Sequence, residues 1–200
     1  MAIPSTALAP AVVLGSGSRY RRELLARILP AFEVVVPGVD ETQQAGEPAA
    51  RLAQRLARLK AERVAESRPA AVVIGSDQVA ECGGRILGKP GSEVRAVEQL
   101  MSCAGRSVTL HTAACVMAPG GLDSAAELNQ TVMRLRALSR DEIVRYVARD
   151  QPIDCAGSFR FESLGAALFN TVQTTDPTAI QGLPLLWLVT VLTGFGVQVL

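Results

Sequence analysis

Two acidic residues that follow apolar runs are the first candidates for chemistry. Asp77 lies near the end of residues 70–79, where five apolar residues lead into a Gly-Ser pair and then the carboxylate. This pattern is typical of a buried strand with an acid at its carboxyl end, where open α/β sheets bind ligands. Glu41 follows a second strand-like run, residues 31–36, so the two carboxylates could share one cleft and hold a hard divalent cation such as Mg²⁺. Two alternatives stay open: Asp77 caps a turn, or Glu41 belongs to a polar loop.

A glycine-serine loop followed by arginines predicts a phosphate site near the start of the chain. Residues 12–14 are typical of a strand, and residues 15–18, with the sequence GSGS, form a tight turn before a helix. Backbone N–H groups and hydroxyls such as that of Ser16 favour an anion at such a turn. Arg21 and Arg22 would then lie in the first helical turn, where the helix dipole disfavours cations. A polyanionic ligand explains that placement, and solvated arginines on an exposed turn are the alternative.

Two lysines are candidates for binding the same anion. Lys60 comes four residues after Leu56 in a predicted helix over residues 48–67, at the edge of its buried face. From there it either reaches a cleft or extends along the surface with its charged end in water. Lys89 stands between a glycine and a proline, and this backbone context favours a positioned side chain over a freely solvated one.

The composition argues against several classes of protein. The 200 residues are 48% hydrophobic, enough for a full core. The net charge of +1 lacks the broad basic footprint of a nucleic-acid binder, so any anion site is local. The four cysteines are far apart, and His111 is the only histidine, which argues against a zinc site and a disulfide framework. A reducing, cytoplasmic location is therefore expected.

Two apolar stretches are not expected to meet a membrane. Residues 1–14 have no Lys or Arg ahead of their apolar part and contain two prolines, which argues against a signal peptide. Residues 183–200 approach the length of a membrane span but are interrupted by Thr, Gly and Gln. We interpret them as a buried helix that ends at Gly194, followed by a short strand over residues 197–200. The protein should be soluble.

The rest of the pattern predicts an α/β fold. In chain order we expect a helix over residues 93–104, an antiparallel pair of strands over 107–117 and 128–138, a helix opened by a capping box at 139–142, and a strand over 165–172. Residues 154–162 form a loop with many small residues, two acids and an arginine. Such loops carry function more often than packing.

Taken together, these motifs resemble the Maf family of nucleoside triphosphate pyrophosphatases, along residues 14–196. The matching pieces are residues 14–25, 39–41, 60–61, 74–78, 88–90, 155–157 with Glu162, and 182–184. Each piece alone is a weak signal, but the set in this order and spacing is specific. The chain departs from the family pattern at Arg19, where a proline is usual, and at Val108, where many members have a histidine.

The resemblance implies an elongated mixed β-sheet flanked by helices, in two lobes with a nucleotide cleft between them, formed by one domain over residues 1–200. The implied reaction is metal-assisted hydrolysis of the α–β phosphoanhydride of a nucleoside triphosphate to a monophosphate and pyrophosphate. The triphosphate would be bound by Ser16, Arg21, Arg22, Lys60 and Lys89. Glu41 and Asp77 would hold Mg²⁺ or Mn²⁺, and Asp77 is also the candidate general base.

Three further residues match positions thought to set the choice of base: Tyr20, Gln78 and Glu162. They are most similar to the branch of the family that hydrolyses 7-methyl-GTP. The ring of Tyr20 would stack on the positively charged methylated guanine, Glu162 would accept from its N1–H and N2–H groups, and Gln78 would orient the base or the sugar.

Two other functions stay open for the sequence. One is a dTTP or UTP pyrophosphatase of the same family, and the other is a non-catalytic nucleotide-binding regulator of cell division. No nucleic-acid or membrane partner is expected, and a homodimer is an open alternative to a monomer.

Overall fold

The computed structural model describes residues 10–121 and 123–200. Much of residues 1–14, for which the sequence argued against a signal peptide, therefore lies outside the described part. The strands are β1 Val12–Gly15, β2 Glu33–Val35, β3 Val72–Cys82, β4 Arg85–Leu87, β5 Ser107–Met117, β6 Ser124–Leu135 and β7 Phe169–Gln173. The α-helices are α1 Arg19–Leu25, α2 Ala49–Ser67, α3 Glu93–Cys103, α4 Arg140–Asp150 and α5 Leu185–Gly194. The predicted α/β class is confirmed.

All seven of these strands belong to one mixed sheet, in the order β2-β1-β3-β5-β6-β7, with β4 also paired to β3. β1 is parallel to β2 and β3, whereas the pairs formed by β3, β4, β5, β6 and β7 with one another are antiparallel. β5 follows one edge of β3 from Val73 to Cys82. Along the other edge of β3, β1 pairs only as far as Gly75, and pairing with β4 starts only at Ala80 of β3. Residues 76–79 thus have no strand beside them on that edge in the described part of the chain, and the sheet has a gap there.

The position of Asp77 differs from the sequence prediction. Asp77 was expected at the carboxyl end of its strand, but β3 continues for five more residues to Cys82. The strand continues because its antiparallel partners extend past the point where the parallel partner β1 stops. Asp77 therefore lies beyond the carboxyl end of β1, beside the gap, and not at the end of its own strand.

Successive side chains of β3 point to opposite faces of the sheet and contribute to two separate hydrophobic cores at one end of it. Val72 and Ile74 pack in a cluster with α1 and α5, while Val73 and Val79 pack in a cluster with α2 on the opposite face. A third cluster unites β4, β6, α3 and α4 at the other end. The result is two lobes joined through β3 and β5, with the gap between them.

The strand predicted over residues 165–172 is right only in its second half, and the strand predicted over residues 197–200 does not form. Residues 164–168 form a 3₁₀ helix, and β7 starts only at Phe169, because the amide of Gly165 donates to the carbonyl oxygen of Arg160 and turns the backbone. Residues 197–200 have no strand assignment, although Val197 packs in the α5 cluster. By contrast, the capping box of α4 forms where it was predicted, with Ser139 and Glu142 bonded reciprocally. Across the described residues, no helix combines the length and apolar character needed to cross a membrane.

Candidate active site

The gap in the sheet opens into a cleft of about 800 Å³, a size suited to a small-molecule ligand. Its walls come from the turn after β1, residues 36–41, α2, β3, the segment after β4, and residues 154–162 and 180–182. Nine of the residues predicted for the site line this cleft: Ser16, Tyr20, Arg21, Glu41, Lys60, Asp77, Gln78, Lys89 and Glu162. Arg22 does not line it and is exposed.

Lys60, Asp77 and Glu41 form a charged cluster at the bottom of the cleft. The Nζ atom of Lys60 donates to Asp77 Oδ1 at 2.6 Å and also lies 2.7 Å from Glu41 Oε1. The side chains of Lys60 and Asp77 are only 7% and 10% exposed, whereas that of Glu41 is 59% exposed. Lys60 therefore reaches into the cleft, and its alternative placement along the surface does not occur.

Close packing between α2 and the sheet brings Lys60 to this point. Gly75 lies directly under the helix, where a Cβ atom would overlap the carbonyl oxygen of Ala57 and the amide nitrogen of Ala61. At Gly15 a Cβ atom would be 3.2 Å from the carbonyl oxygen of Lys60. The two glycines thus let the backbone of α2 lie against β1 and β3, so that a lysine on its buried face meets an acid on β3.

The charge on Glu41 is stabilised by its neighbours. Burial alone would raise the pKa of Glu41, but the hydrogen bond and charge of Lys60, with the charges of Lys89 and Arg21, lower it overall. The carboxylate is therefore ionised at neutral pH. Lys89 itself is exposed and also lines the cleft, and none of the salt bridges among residues 10–121 and 123–200 involves it.

Arg21 is built into the wall of the cleft. Its Nε donates to the carbonyl oxygen of Gly182 at 2.9 Å, and its Nη1 donates to Ser16 Oγ at 3.3 Å. Burial lowers the pKa of Arg21, while the charges of Asp77 and Glu41 oppose that shift. Because arginine ionises far above neutral pH, the guanidinium keeps its charge.

Arg22 differs from its neighbour. Helix α1 has only seven residues and places Arg22 in its last turn, where the dipole favours a cation. Contrary to the prediction from the sequence, the helix dipole does not disfavour Arg22, and this side chain does not line the cleft.

Tyr20 lies half-buried at the cleft wall and already carries a cation over its ring. The guanidinium carbon of Arg19 is 4.7 Å from the ring centroid, and its Nη2 donates to the Tyr20 hydroxyl at 2.8 Å. The same hydroxyl lies 3.7 Å from Cys155 Sγ. Burial raises the pKa of Cys155 to about 12, so the thiol is protonated at neutral pH.

Gln78 lies on the opposite face of β3 from Asp77, because successive residues of a strand point to opposite sides. Its amide nitrogen donates to Thr112 Oγ1 at 2.8 Å, to the carbonyl oxygen of Ala179 at 2.9 Å and to that of Ile180 at 3.2 Å. These acceptors identify the nitrogen end of the side chain and occupy its donors. A ligand can therefore use Gln78 only as an acceptor.

The chain is similar in sequence to known proteins, and this similarity shows its family. The model of the family described as Maf-like protein matches residues 11–195. The chain belongs to the Maf family. It is 45% identical to a protein of Pseudomonas putida named 7-methyl-GTP pyrophosphatase, over 94% of this chain and 98% of that one. A protein of Alkalilimnicola ehrlichii with the same name is 48% identical over 88% of this chain and 89% of its own. The Staphylococcus aureus Ham1 structure matches with a TM-score of 0.45 and 18% identity, over 64% of this chain and 72% of that one, a likeness too weak to carry an argument.

The acids of this Maf chain fit a divalent cation bound together with substrate. Glu41 Oε1 and Asp77 Oδ1 both contact the Lys60 Nζ atom, so the two carboxylates face one point. Among residues 10–121 and 123–200, no cluster of three or more His, Cys, Asp or Glu side chains could hold a metal ion. Mg²⁺ suits two carboxylates of this kind, since it commonly takes one or two from the protein and completes its shell with phosphates and water.

One buried residue that stabilises a wall of the Maf cleft was not predicted from the sequence. Asp150, at the end of α4, is 3% exposed and accepts hydrogen bonds from Tyr146, Arg160 and Ser163. It thereby fixes the loop that brings Glu162, itself exposed, to the cleft. An acid at the end of a helix is typical of a solvated side chain, so nothing in the local sequence marks Asp150 as buried.

Proposed function

We propose that the chain hydrolyses 7-methyl-GTP to 7-methyl-GMP and pyrophosphate with the help of Mg²⁺ or Mn²⁺. The observation that carries this proposal is the Glu41–Lys60–Asp77 cluster beside the half-buried Arg21, at the base of a nucleotide-sized cleft. The names of the relatives support the substrate, since they are called 7-methyl-GTP pyrophosphatases at 45–48% identity.

The side chains that line the cleft have separate roles in the proposed reaction. Arg21, Lys60 and Lys89 bind the oxygens of the triphosphate, with Ser16 donating from the turn after β1. Asp77 accepts the proton of the attacking water as the general base. Glu41 and Asp77 would hold the divalent cation, which when bound would screen the phosphate charges and make water a better nucleophile.

The base would be recognised at the other side of the cleft. Tyr20 offers its ring to the methylated guanine, whose positive charge takes the place that Arg19 occupies in the free protein. Glu162 accepts from the N1–H and N2–H groups of guanine, a pair that pyrimidines lack. Gln78 contributes its side-chain oxygen while its nitrogen holds residues 179–180 in place.

Pyrophosphate release is the experiment that tests the proposal. Purified protein is incubated with Mg²⁺ or Mn²⁺ and a panel of 7-methyl-GTP, GTP, dTTP and UTP, with Asp77→Asn as the matched inactive control. We expect the highest kcat/KM with 7-methyl-GTP and a loss of at least about 10²-fold in Asp77→Asn, the lower range for removal of a general base.

The same panel decides between this proposal and its alternatives. Faster turnover of dTTP or UTP would replace the substrate and keep the reaction. Binding without any pyrophosphate release would instead favour a nucleotide-binding regulator, for example of cell division. A cytoplasmic location and a single domain remain predictions that cell fractionation and limited proteolysis would test. Sedimentation would decide between a monomer and a homodimer, which the sequence leaves open.

A further inference from the structure

Lys60 occupies the place between the two acids where a cation would be expected. Its single ammonium group touches Asp77 Oδ1 at 2.6 Å and Glu41 Oε1 at 2.7 Å while its side chain is 7% exposed. A buried ammonium needs such partners, because an unpaired charge in this position would be strongly destabilised. The free protein therefore carries its own counterion for the acid pair.

The formal charges at the bottom of the cleft already cancel. Glu41 and Asp77 are each negative, and Lys60 and the half-buried Arg21 are each positive; both acids act on the charge of Arg21. A divalent cation entering alone would add two positive charges where burial weakens solvent screening. It would also compete with Lys60 for the same oxygens. Without a bound nucleotide, the cleft is thus a poor site for a metal ion, although it contains two carboxylates.

A bound triphosphate reverses this balance. Its several negative charges attract Lys60, whose flexible stem lets the ammonium move from the acids to a phosphate oxygen. The two carboxylates then lose their counterion and become available to a cation, which the phosphates also help to hold.

We propose that Lys60 acts as an exchangeable counterion: it neutralises Glu41 and Asp77 in the free protein, and the divalent cation enters only together with the triphosphate. The proposal rests on the proposed function of the cleft, and it adds the order in which the ligands bind. Lys60 is then a positioning residue for the acids before it becomes a ligand of the phosphate.

Mn²⁺ binding measured by electron paramagnetic resonance tests this order. Free Mn²⁺ is titrated with wild-type protein alone and with the complex of a non-hydrolysable α,β-methylene analogue of 7-methyl-GTP. The contribution of the analogue without protein is subtracted. We expect the protein to bind Mn²⁺ at least about tenfold more tightly in the complex, equivalent to about 1.4 kcal/mol. Equal affinity in the two states would overturn the proposal, and this arm needs no variant.

Two lysine variants provide a matched comparison, since Lys89 is the only other lysine of the chain and also lines the cleft. Lys60→Met should bind Mn²⁺ in the absence of nucleotide at least about tenfold more tightly than wild type, because it leaves the acid pair without a counterion. Lys89→Met removes the same charge, and Lys89 has no salt bridge within the described part of the chain, so the gain in Mn²⁺ affinity should be several-fold smaller. Equal gains, or none for Lys60→Met, would also overturn the proposal.

Failure of this inference is distinguishable from failure of the proposed function. Turnover of 7-methyl-GTP by a protein that binds Mn²⁺ equally well with and without the analogue would refute only the binding order. Nucleotide-dependent Mn²⁺ binding without turnover of any nucleotide would refute only the pyrophosphatase.

Discussion

Arg21 and Arg22 are neighbours in sequence with opposite environments. Arg21 is bonded to Gly182 and Ser16 in the cleft wall, whereas Arg22 is exposed in the last turn of α1. Residue type and spacing could identify the pair as candidates, but they could not separate its members. The length of α1 separates them, and that length depends on packing around Leu24 and Leu25 that the local sequence does not specify.

The pair gives a prediction with an internal control. Arg21→Gln should lower kcat/KM for 7-methyl-GTP by about ten- to 150-fold, since hydrogen bonds to charged groups contribute about 1.5–3 kcal/mol. Arg22→Gln should stay within about twofold, as expected for an exposed substitution. Steady-state pyrophosphate release measures both, with melting temperatures to confirm folding. Equal losses of kcat/KM in the two variants would show that Arg22 also binds the phosphates.

Arg19 and Tyr20 give a second prediction, on the choice of base. The charge of Arg19 repels a methylated guanine but not an unmethylated one. Arg19→Gln should therefore raise the ratio of kcat/KM for 7-methyl-GTP over GTP by a few-fold, and Tyr20→Ala should lower it, within the range of about 0.5–2 kcal/mol for a cation–π contact. Tyr20→Phe keeps the ring and serves as the control. If the ratio of kcat/KM for 7-methyl-GTP over GTP were unchanged in both Arg19→Gln and Tyr20→Ala, neither residue would take part in recognising the base.

At the scale of secondary-structure elements, the contact between α2 and β3 sets the position of Lys60. Gly75→Ala should destabilise the protein by about 1–3 kcal/mol, because the added methyl group forces the helix away from the strand. It should also lower kcat by moving Lys60 from Asp77. Gly194→Ala is the control, since a Cβ atom there meets nothing within 4 Å. Urea unfolding and turnover measure the two effects, and a stable, fully active Gly75→Ala protein would contradict the account.

The loop that carries Glu162 gives a prediction about pH. Burial would raise the pKa of Asp150, but its bonds from Ser163, Arg160 and Tyr146 lower it overall. Its stabilising contribution is therefore complete above the ordinary aspartate pKa of about 4 and is lost as the pH falls through the lower folded value. Asp150→Asn should reduce the unfolding free energy by about 1–3 kcal/mol at pH 7.

The difference between wild type and Asp150→Asn should stay constant down to about pH 5 and then narrow below about pH 4. Urea unfolding at pH 7, 5 and 3.5 measures it. Asp141→Asn changes an exposed acid on the same helix and should cost far less at pH 7. If the difference in unfolding free energy between the two proteins became larger in acid, the carboxylate would not stabilise the loop in its ionised form.

Elements with local signals could be predicted closely. The capping box of α4 and the antiparallel pair β5–β6 lie near their expected positions, because a cap and a hairpin depend on residues close in sequence. The strand predicted over residues 165–172 failed at its start, where Gly165 bonds to Arg160 in a loop that is fixed by tertiary contacts. Apolar alternation alone did not reveal that contact.

On the scale of the whole molecule, the gap in the sheet could not be read from the sequence. It exists because β1, β4 and β5 each pair with a different length of β3, and those partners come from distant parts of the chain. The sequence did predict an acid near the carboxyl end of a parallel strand. It assigned that end to β3, whereas the strand that ends there is β1.

The gap also makes the backbone of β3 a reporter of cleft occupancy. In an antiparallel pair, only alternate residues direct their N–H groups at the partner, so about half of the amides over residues 76–79 point away from β5 into the gap. Residues 72–75, in the same strand, have β1 beside them instead. Hydrogen–deuterium exchange of the gap-facing amides therefore needs only solvent entry, whereas exchange at residues 72–75 needs the sheet to open. A nucleotide that fills the cleft would slow the first group and leave the second unchanged.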